Sequence, residues 1–337
     1  MAQERVRIAL NGFGRIGRAI LRILLEGRDD FDLVLINDIE PLETCAYLFQ
    51  YDSIFGPWRG QVGIAPEALI IDGRRIAFHG VRDLRDLDLS GVDLVLECTG
   101  MAGKRAVAER GLQAGAGAVL VSGPSDEADV TLVLGANEGD LGQARIVSNA
   151  SCTTNALAPL ARLLDEAYGI VSGQMTTVHC YTGSQPTVDK PRANLERSRA
   201  AALSMVPTTT SAQHQTDLVL PALRGRIEAR AIRVPTASVS CIDLTLQTAR
   251  PASVAQVNDL LRAAAVPGGV FGWTEQPLVS RDLQMRPESI IVSGRETSVS
   301  CGGLLRVFGW YDNEWGFSNR MLDMAALMGA RDPRTGV

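Results

Sequence analysis

Apolar residues along the first 150 positions come in short continuous runs, and the segments between them read as helical. RVRIAL (5–10), DLVLIN (32–37), VDLVLECTG (92–100), AVLVSG (118–123), TLVLGAN (131–137) and RIVSNA (145–150) predict strands. Apolar positions at helical spacing mark GRIGRAILRILLEG (14–27) and AVAERGLQAGA (106–116) as helices. ALIIDGRRIAFHG (68–80) predicts a hairpin turning at Asp72-Gly73. Strands that are apolar throughout and alternate with helices predict a mainly parallel sheet covered on both faces.

Beyond residue 150 the pattern changes. CTTNALAPLARLLDEAYG (152–169) predicts a long helix, with Pro159 marking a candidate kink. Alternating runs follow at RVPTASVSCIDLTLQT (233–248), ESIIVSG (288–294) and LLRVFGWYD (304–312), and these predict strands of a mainly antiparallel sheet. FSNRMLDMAALMG (317–329) predicts a closing helix. The polar stretch 180–207 is too irregular for one element, and a loop of that length in a compact domain is usually functional. The expected organisation is a first domain over 1–151 and an α+β second domain over 152–316. The segment 317–337 is expected to pack back on the first.

The chain has 337 residues, a length suited to two domains. A formal charge of −5 favours neither a nucleic-acid nor a basic membrane-binding surface. Residues 1–10, MAQERVRIAL, carry no secretory signature, and no apolar run nears the length of a membrane span. Six scattered cysteines, none at C-x-x-C spacing, argue against a disulfide framework or a metal site. A reduced, cytoplasmic protein is expected.

NGFGRIGR (11–18) places Gly12, Gly14 and Gly17 in a G-x-G-x-x-G pattern between the first strand and its helix. The first glycine permits the turn, the second lets backbone approach a pyrophosphate, and the third allows close helix–strand packing. Asp38 ends the second strand, about 20 residues on, where a carboxylate takes ribose hydroxyls and repels a 2′-phosphate. A Rossmann-type first domain binding NAD is the expectation.

SNASCTTN (148–155) sets Cys152 among small polar residues at a strand-to-helix transition. A thiol there feels the positive end of the helix dipole, which predicts a lowered pKa. The base must be one of three histidines: His79, His179 or His214. His179, at the end of the strand QMTTVH, is the choice on pattern, since a strand end delivers a side chain to a site.

In order and spacing, NGFGRIGR, SNASCTTN, TTVHCYT, RVPT and WYDNEWG resemble the phosphorylating glyceraldehyde-3-phosphate dehydrogenases across essentially the whole chain. The resemblance implies a Cys152 nucleophile activated by His179, a thiohemiacetal oxidised to a thioester, and release of the acyl group to inorganic phosphate. It implies a substrate-phosphate site at Thr182, Ser184 and Arg233, and an attacking-phosphate site at Ser151, Thr153, Arg197, Thr210 and Ser211. Arg15, Ile16 and Ser122 join the cofactor site by the same carry-over, and Asn313 takes the nicotinamide carboxamide. A homotetramer is implied too, with the 180–207 loop reaching a neighbouring subunit.

Ser184, Ser211, His214 and Phe317 depart from residues common in that family. LLDEAYGIVSG (163–173) and FSNRMLD (317–323) are similar to the erythrose-4-phosphate dehydrogenase branch. Cys180-Tyr181-Thr182 keeps a segment which that branch generally loses, so glyceraldehyde 3-phosphate is the preferred substrate. A non-catalytic NAD-binding regulatory protein is the alternative of another class, and the Cys152–His179 pair argues against it.

Overall fold

A computed structural model of the chain describes residues 5–330. Its described residues divide into two compact units, one of residues 5–132, 139–150 and 318–330, the other of residues 133–138 and 151–317. Residues 331–337 of the expected back-packing tail lie outside the described residues.

The first unit is built on a nine-stranded sheet. Its strands run in the order 130–131, 146–148, 118–121, 94–97, 6–11, 31–37, 74–79, 68–71 and 62–65. Every pairing is parallel except those joining the last three strands. Ile8, Ala9 and Leu10 of the central strand are buried, as a strand covered on both faces requires. The expected hairpin forms, with Asp72 and Gly73 both at positive φ (50° and 80°), the geometry of a two-residue primed turn. The chain crosses to opposite sides of strand 6–11 to form strands 31–37 and 94–97. That reversal opens a crevice at the carboxyl ends of these strands.

Two expected strands differ. Of TLVLGAN only Thr131 lies in a strand, Val130–Thr131, and Leu132 N–H makes the last bond to it, to the Ser148 carbonyl; Ala136 N–H then donates to the Val133 carbonyl and the Asn137 side chain accepts from Val133 N–H. The run is apolar because Leu132 and Val133 are buried, not because it continues a ladder. Residues 133–138, expected with the first domain, group with the second, where Arg162 donates to the Ala136 carbonyl. The run 233–248 is likewise two strands, Ile227–Val234 and Ser240–Thr248. Pro235 has no N–H to extend the first, and Thr236 N–H turns back to the Val234 carbonyl.

In the second unit the Ile170–Cys180 strand lies between Ile227–Val234, parallel to it, and Ser240–Thr248, antiparallel. The remaining order continues through 305–311, 290–293 and 271–274, with 206–208 at the opposite edge, a mixed sheet in which antiparallel pairs predominate. The Cys152–Tyr168 helix runs through Pro159 without a break. Leu157, Leu160, Ala161 and Leu164 form one core with Met175, Ile242, Leu244, Leu246 and Val307. Side chains alternate along a strand, so Met175, Thr177 and His179 share the helix-covered face. Gln174, Thr176 and Val178 line an open polar groove on the other.

Candidate active site

Asn149 and Ala150 precede the Cys152–Tyr168 helix, with Ala150 held at φ 56°. Ser151 is the N-cap: its hydroxyl accepts from Thr154 N–H at 3.1 Å, and Asn155 donates to its carbonyl at 3.1 Å. Cys152 therefore opens the helix, half-buried, with its Sγ 3.6 Å from His179 Nε2. Sheet register explains the other half of the pair. His179 lies opposite Arg233 on the neighbouring parallel strand, and its ring is buried edge-on to Tyr311.

The imidazole Nδ1 lies 2.7 Å from the Cys180 carbonyl and 2.8 Å from the Arg233 guanidinium, which itself donates to that carbonyl at 3.0 Å. With Nδ1–H donating to the carbonyl, Nε2 presents a lone pair to the thiol. With Nδ1 accepting from Arg233, Nε2–H faces the sulfur. The first arrangement makes Nε2 a base toward the thiol; once Nε2 takes the proton, Nδ1–H stays on the Cys180 carbonyl and Arg233 keeps only its own bond to that oxygen.

Burial, reinforced by the Arg233 charge, pushes His179 down to about 3. Burial also pushes the Cys152 thiol up, against the opposing pulls of Arg233, the Thr153 hydroxyl and amide, and its own amide. The helix terminus alone predicts a lowered thiol pKa; the structure shows that desolvation outweighs it while the partner imidazole is neutral.

Thr153 is buried, and its hydroxyl is 2.8 Å from the Tyr311 hydroxyl, which also meets Thr177 at 2.8 Å. Thr182 and Ser184 pair through their hydroxyls at 2.9 Å just beyond the His179 strand. Arg197 donates to the Thr208 hydroxyl and the Thr209 carbonyl at 2.7 and 3.0 Å. Thr210 accepts from Ala212 N–H at the start of the Ala212–Val219 helix, beside exposed Ser211. Asn313 is buried, in the same unit as Cys152 and His179. Sequence reasoning missed Tyr311, which lies within the WYDNEWG motif, and Gln215. Gln215 is fully buried, and its carbonyl oxygen accepts from Ser151 N–H at 2.9 Å and from the Thr154 hydroxyl at 3.2 Å. A glutamine in an amphipathic helix carries no sequence signal of that reach.

In the first unit the three glycines differ in what surrounds them. A Cβ on Gly12 (φ 94°) would meet the Cys98 carbonyl carbon at 2.7 Å. One on Gly17 would fall against the Gly12 carbonyl oxygen, with its carbon at 3.1 Å, whereas nothing lies within 4 Å of one on Gly14. The second glycine thus faces open space at the start of the Arg15–Leu25 helix. Arg15 pairs with Asp52, Ile16 lies in the first helical turn, and Ser122 follows the Ala118–Val121 strand. Asp38 braces the loop, accepting from Phe13 N–H at 2.5 Å and Glu40 N–H at 2.9 Å. A cavity of about 300 Å³ is lined by Gly12, Gly14, Asp38, Ile39, Arg82 and Thr99, among others. Glu97, also missed from sequence, lies at its base and accepts from Asn11 at 2.5 Å; burial pushes its carboxyl up.

Two family models match the chain. That for the glyceraldehyde 3-phosphate dehydrogenase NAD binding domain matches residues 6–105, and that for the C-terminal domain matches 151–313. The chain belongs to the glyceraldehyde-3-phosphate dehydrogenase family. It is 48% identical over 330 residues to the glyceraldehyde-3-phosphate dehydrogenase of Xanthobacter flavus, covering 96% of this chain and 98% of the relative. The Pseudomonas aeruginosa enzyme of the same name is 49% identical over 333 residues, 97% of this chain and 99% of the relative. That of Cereibacter sphaeroides is 46% identical over 328 residues, 96% and 98% respectively. The chain is an NAD-dependent oxidoreductase of this family. Among its described residues no helix is long and apolar enough to cross a membrane.

Proposed function

We propose that the chain oxidises glyceraldehyde 3-phosphate to 1,3-bisphosphoglycerate, with Cys152 as nucleophile and His179 as acid–base. The observation that carries this reading is the Cys152 Sγ to His179 Nε2 approach of 3.6 Å at a helix N-terminus, with Arg233 beside the same imidazole.

The residues present fit the cofactor. Gly14 leaves room for a pyrophosphate, and the first turn of its helix supplies amides that lack intrahelical acceptors. Each Asp38 oxygen keeps a lone pair for a ribose hydroxyl after accepting one backbone N–H. Gly12, Gly14, Arg15, Ile16, Gly17, Asp38 and Ser122 would hold NAD, and Asn313 its carboxamide. When bound, NAD supplies the hydride acceptor.

The protein's own part begins as the Cys152 sulfur adds to the aldehyde carbon while the thiol proton passes to His179 Nε2. The carbonyl π pair moves to oxygen, and the Cys152 amide and protonated His179 hold that oxygen. His179 gives its proton to that oxygen, making a thiohemiacetal hydroxyl, and takes it back as the carbon is oxidised, leaving a thioester on Cys152. Inorganic phosphate attacks the thioester carbon, and Cys152 leaves as thiolate. Thr182, Ser184 and Arg233 grip the substrate phosphate. Ser151, Thr153, Arg197, Thr210 and Ser211 receive the attacking one, with the Thr153 hydroxyl shared with Tyr311.

We also propose a cytoplasmic homotetramer. The 180–207 loop supports assembly, because Val188, Leu195, Leu203 and Met205 are each 71–85% exposed on it, more apolar surface than a free loop tolerates well.

Steady-state kinetics on glyceraldehyde 3-phosphate and erythrose 4-phosphate, with and without phosphate, test the reading. At least tenfold higher kcat/KM for the three-carbon substrate is expected, since misplacing one charge-assisted contact costs about 1.5–3 kcal/mol. Equal use of both, with indifference to phosphate, would overturn it.

A further inference from the structure

Cys180, the residue after the catalytic histidine, is fully buried, and all three of its polar groups are engaged. Its carbonyl accepts from His179 and Arg233. Its N–H donates to the Ser240 hydroxyl oxygen at 3.1 Å. Its thiol donates to Asn313 Oδ1 at 3.1 Å, and the Ser240 hydroxyl donates to the same Oδ1 at 3.4 Å.

The direction of these bonds fixes the Asn313 amide. Ser240 Oγ already accepts a backbone N–H, so its own hydrogen needs an acceptor, and Asn313 Oδ1 is there. The Cys180 S–H finds the same oxygen at 3.1 Å, closer than its other contact, His179 Nδ1 at 3.8 Å. A flipped amide would turn an NH₂ toward two groups that both have hydrogens to donate. Burial pushes the Cys180 thiol up to about 12, so it remains an S–H donor at every pH where the enzyme works. With Oδ1 committed to this pair, the Asn313 NH₂ is the end left to face a ligand.

We propose that Cys180 and Ser240 are positioning residues that lock the Asn313 side chain with its NH₂ presented as a donor to the nicotinamide carboxamide oxygen. The inference rests on the reading of Asn313 as the carboxamide-binding residue. It ties the acid–base residue and the nicotinamide contact to one buried side chain, since Cys180 braces His179 through its carbonyl and Asn313 through its thiol.

The test compares equilibrium binding of NAD and of ADP-ribose, which keeps adenosine and pyrophosphate but lacks nicotinamide. Calorimetry would be run on the wild type, Asn313→Ala, Cys180→Ala, the double variant Cys180→Ala/Ser240→Ala, and Cys180→Ser, which retains a donor. The double variant is expected to weaken NAD by about 3- to 13-fold, the upper part of the range for one hydrogen bond to a neutral group, and to leave ADP-ribose within twofold. Cys180→Ser should restore most of the NAD affinity lost in a Cys180→Ala single variant. If Asn313→Ala lowers NAD selectively but the double variant does not, the positioning proposal is wrong and the Asn313 reading stands. Equal weakening of both ligands in the double variant would show a merely structural role and would also overturn it. If Asn313→Ala leaves the NAD to ADP-ribose ratio unchanged, the Asn313 reading falls and the proposal with it.

Discussion

Gly14 and Gly17 sit three residues apart, yet replacing each by Ala should fail in a different way. At Gly17 the added methyl falls against the Gly12 carbonyl. That residue is held in place, because Gly12 N–H is bonded to the Asn37 carbonyl and the space for a Cβ on it is already filled by the Cys98 and Thr99 backbone. Overpacking of this kind costs about 1–3 kcal/mol, beyond the roughly 1 kcal/mol by which Ala would otherwise favour a helix. For a protein of this size each kcal/mol moves Tm by about 2–4 °C, so Gly17→Ala should melt several degrees lower and lose NAD through the displaced loop. At Gly14 the methyl meets nothing within 4 Å, and φ of −72° suits any residue. Its cost is that of a poorer N-cap, at most about 1 kcal/mol. Gly14→Ala should therefore melt within about 4 °C of wild type but bind NAD and ADP-ribose at least tenfold more weakly, about 1.4 kcal/mol, with adenosine binding little changed. Thermal melts paired with calorimetry separate the two. A Gly14→Ala protein that binds NAD within twofold of wild type would place the pyrophosphate elsewhere, and an unshifted Gly17→Ala melt would refute the packing argument.

Cys152→Ser should abolish turnover while NAD binding persists, because an alcohol stays protonated; activity within tenfold of wild type would remove Cys152 from the nucleophile role. His179→Asn should slow turnover by roughly 10²–10⁴-fold and shift the pH profile of iodoacetamide labelling of Cys152 upward, and an unmoved profile would count against proton transfer between them. Because His179 is lowered to about 3 in the fold from an ordinary 6.5, the unfolded chain binds its proton first, so stability should fall as pH drops from 6.5 toward 3. Urea titrations at several pH values should show a flatter decline in His179→Asn. Asp38→Ala should weaken NAD and improve relative use of NADP, and a wild type already preferring NADP would contradict the cofactor assignment. The residue one helical turn after Cys152 is Ala156, so peroxide should give a Cys152 sulfenic acid that no helix neighbour captures; mass spectrometry finding an intrachain Cys152 disulfide as the main product would refute this.

The sheets were legible because their strands obey local rules: the 6–11 and 31–37 runs are apolar throughout, and Asp72-Gly73 is a turn by backbone preference alone. TLVLGAN misled for the same reason, since Val133, buried after the pairing has ended, carries the same apolar signature as a buried strand. Pro235 could have divided the 233–248 run and was read through because alternation resumes beyond it. In the site, Gly12, Gly14 and Gly17 are recoverable because their spacing encodes one local turn. Tyr311, Gln215 and Glu97 are not, because each acts across 60 or more residues of chain, or from a strand end, through contacts that only the fold creates: Tyr311 with Thr153, Gln215 with Ser151, Glu97 with Asn11.

The protonation of the Cys152–His179 pair shows where local reasoning stops. The helix terminus offers Cys152 a pull toward thiolate, yet a sulfur and an imidazole this enclosed are each driven toward neutrality when considered with a neutral partner. Moving one proton from Sγ to Nε2 changes the balance, since it creates both charges at once, 3.6 Å apart. At an effective dielectric near 20 their attraction is about 4–5 kcal/mol, worth roughly three pKa units, which is of the order of the fall of His179 from 6.5 to about 3. The pair therefore titrates as a unit. Arg233 works on both sides of that balance: its charge favours the thiolate and opposes the imidazolium. A substrate phosphate that neutralises Arg233 would relieve the opposition on His179 at the moment the aldehyde arrives, so that the base strengthens when there is a carbonyl to attack.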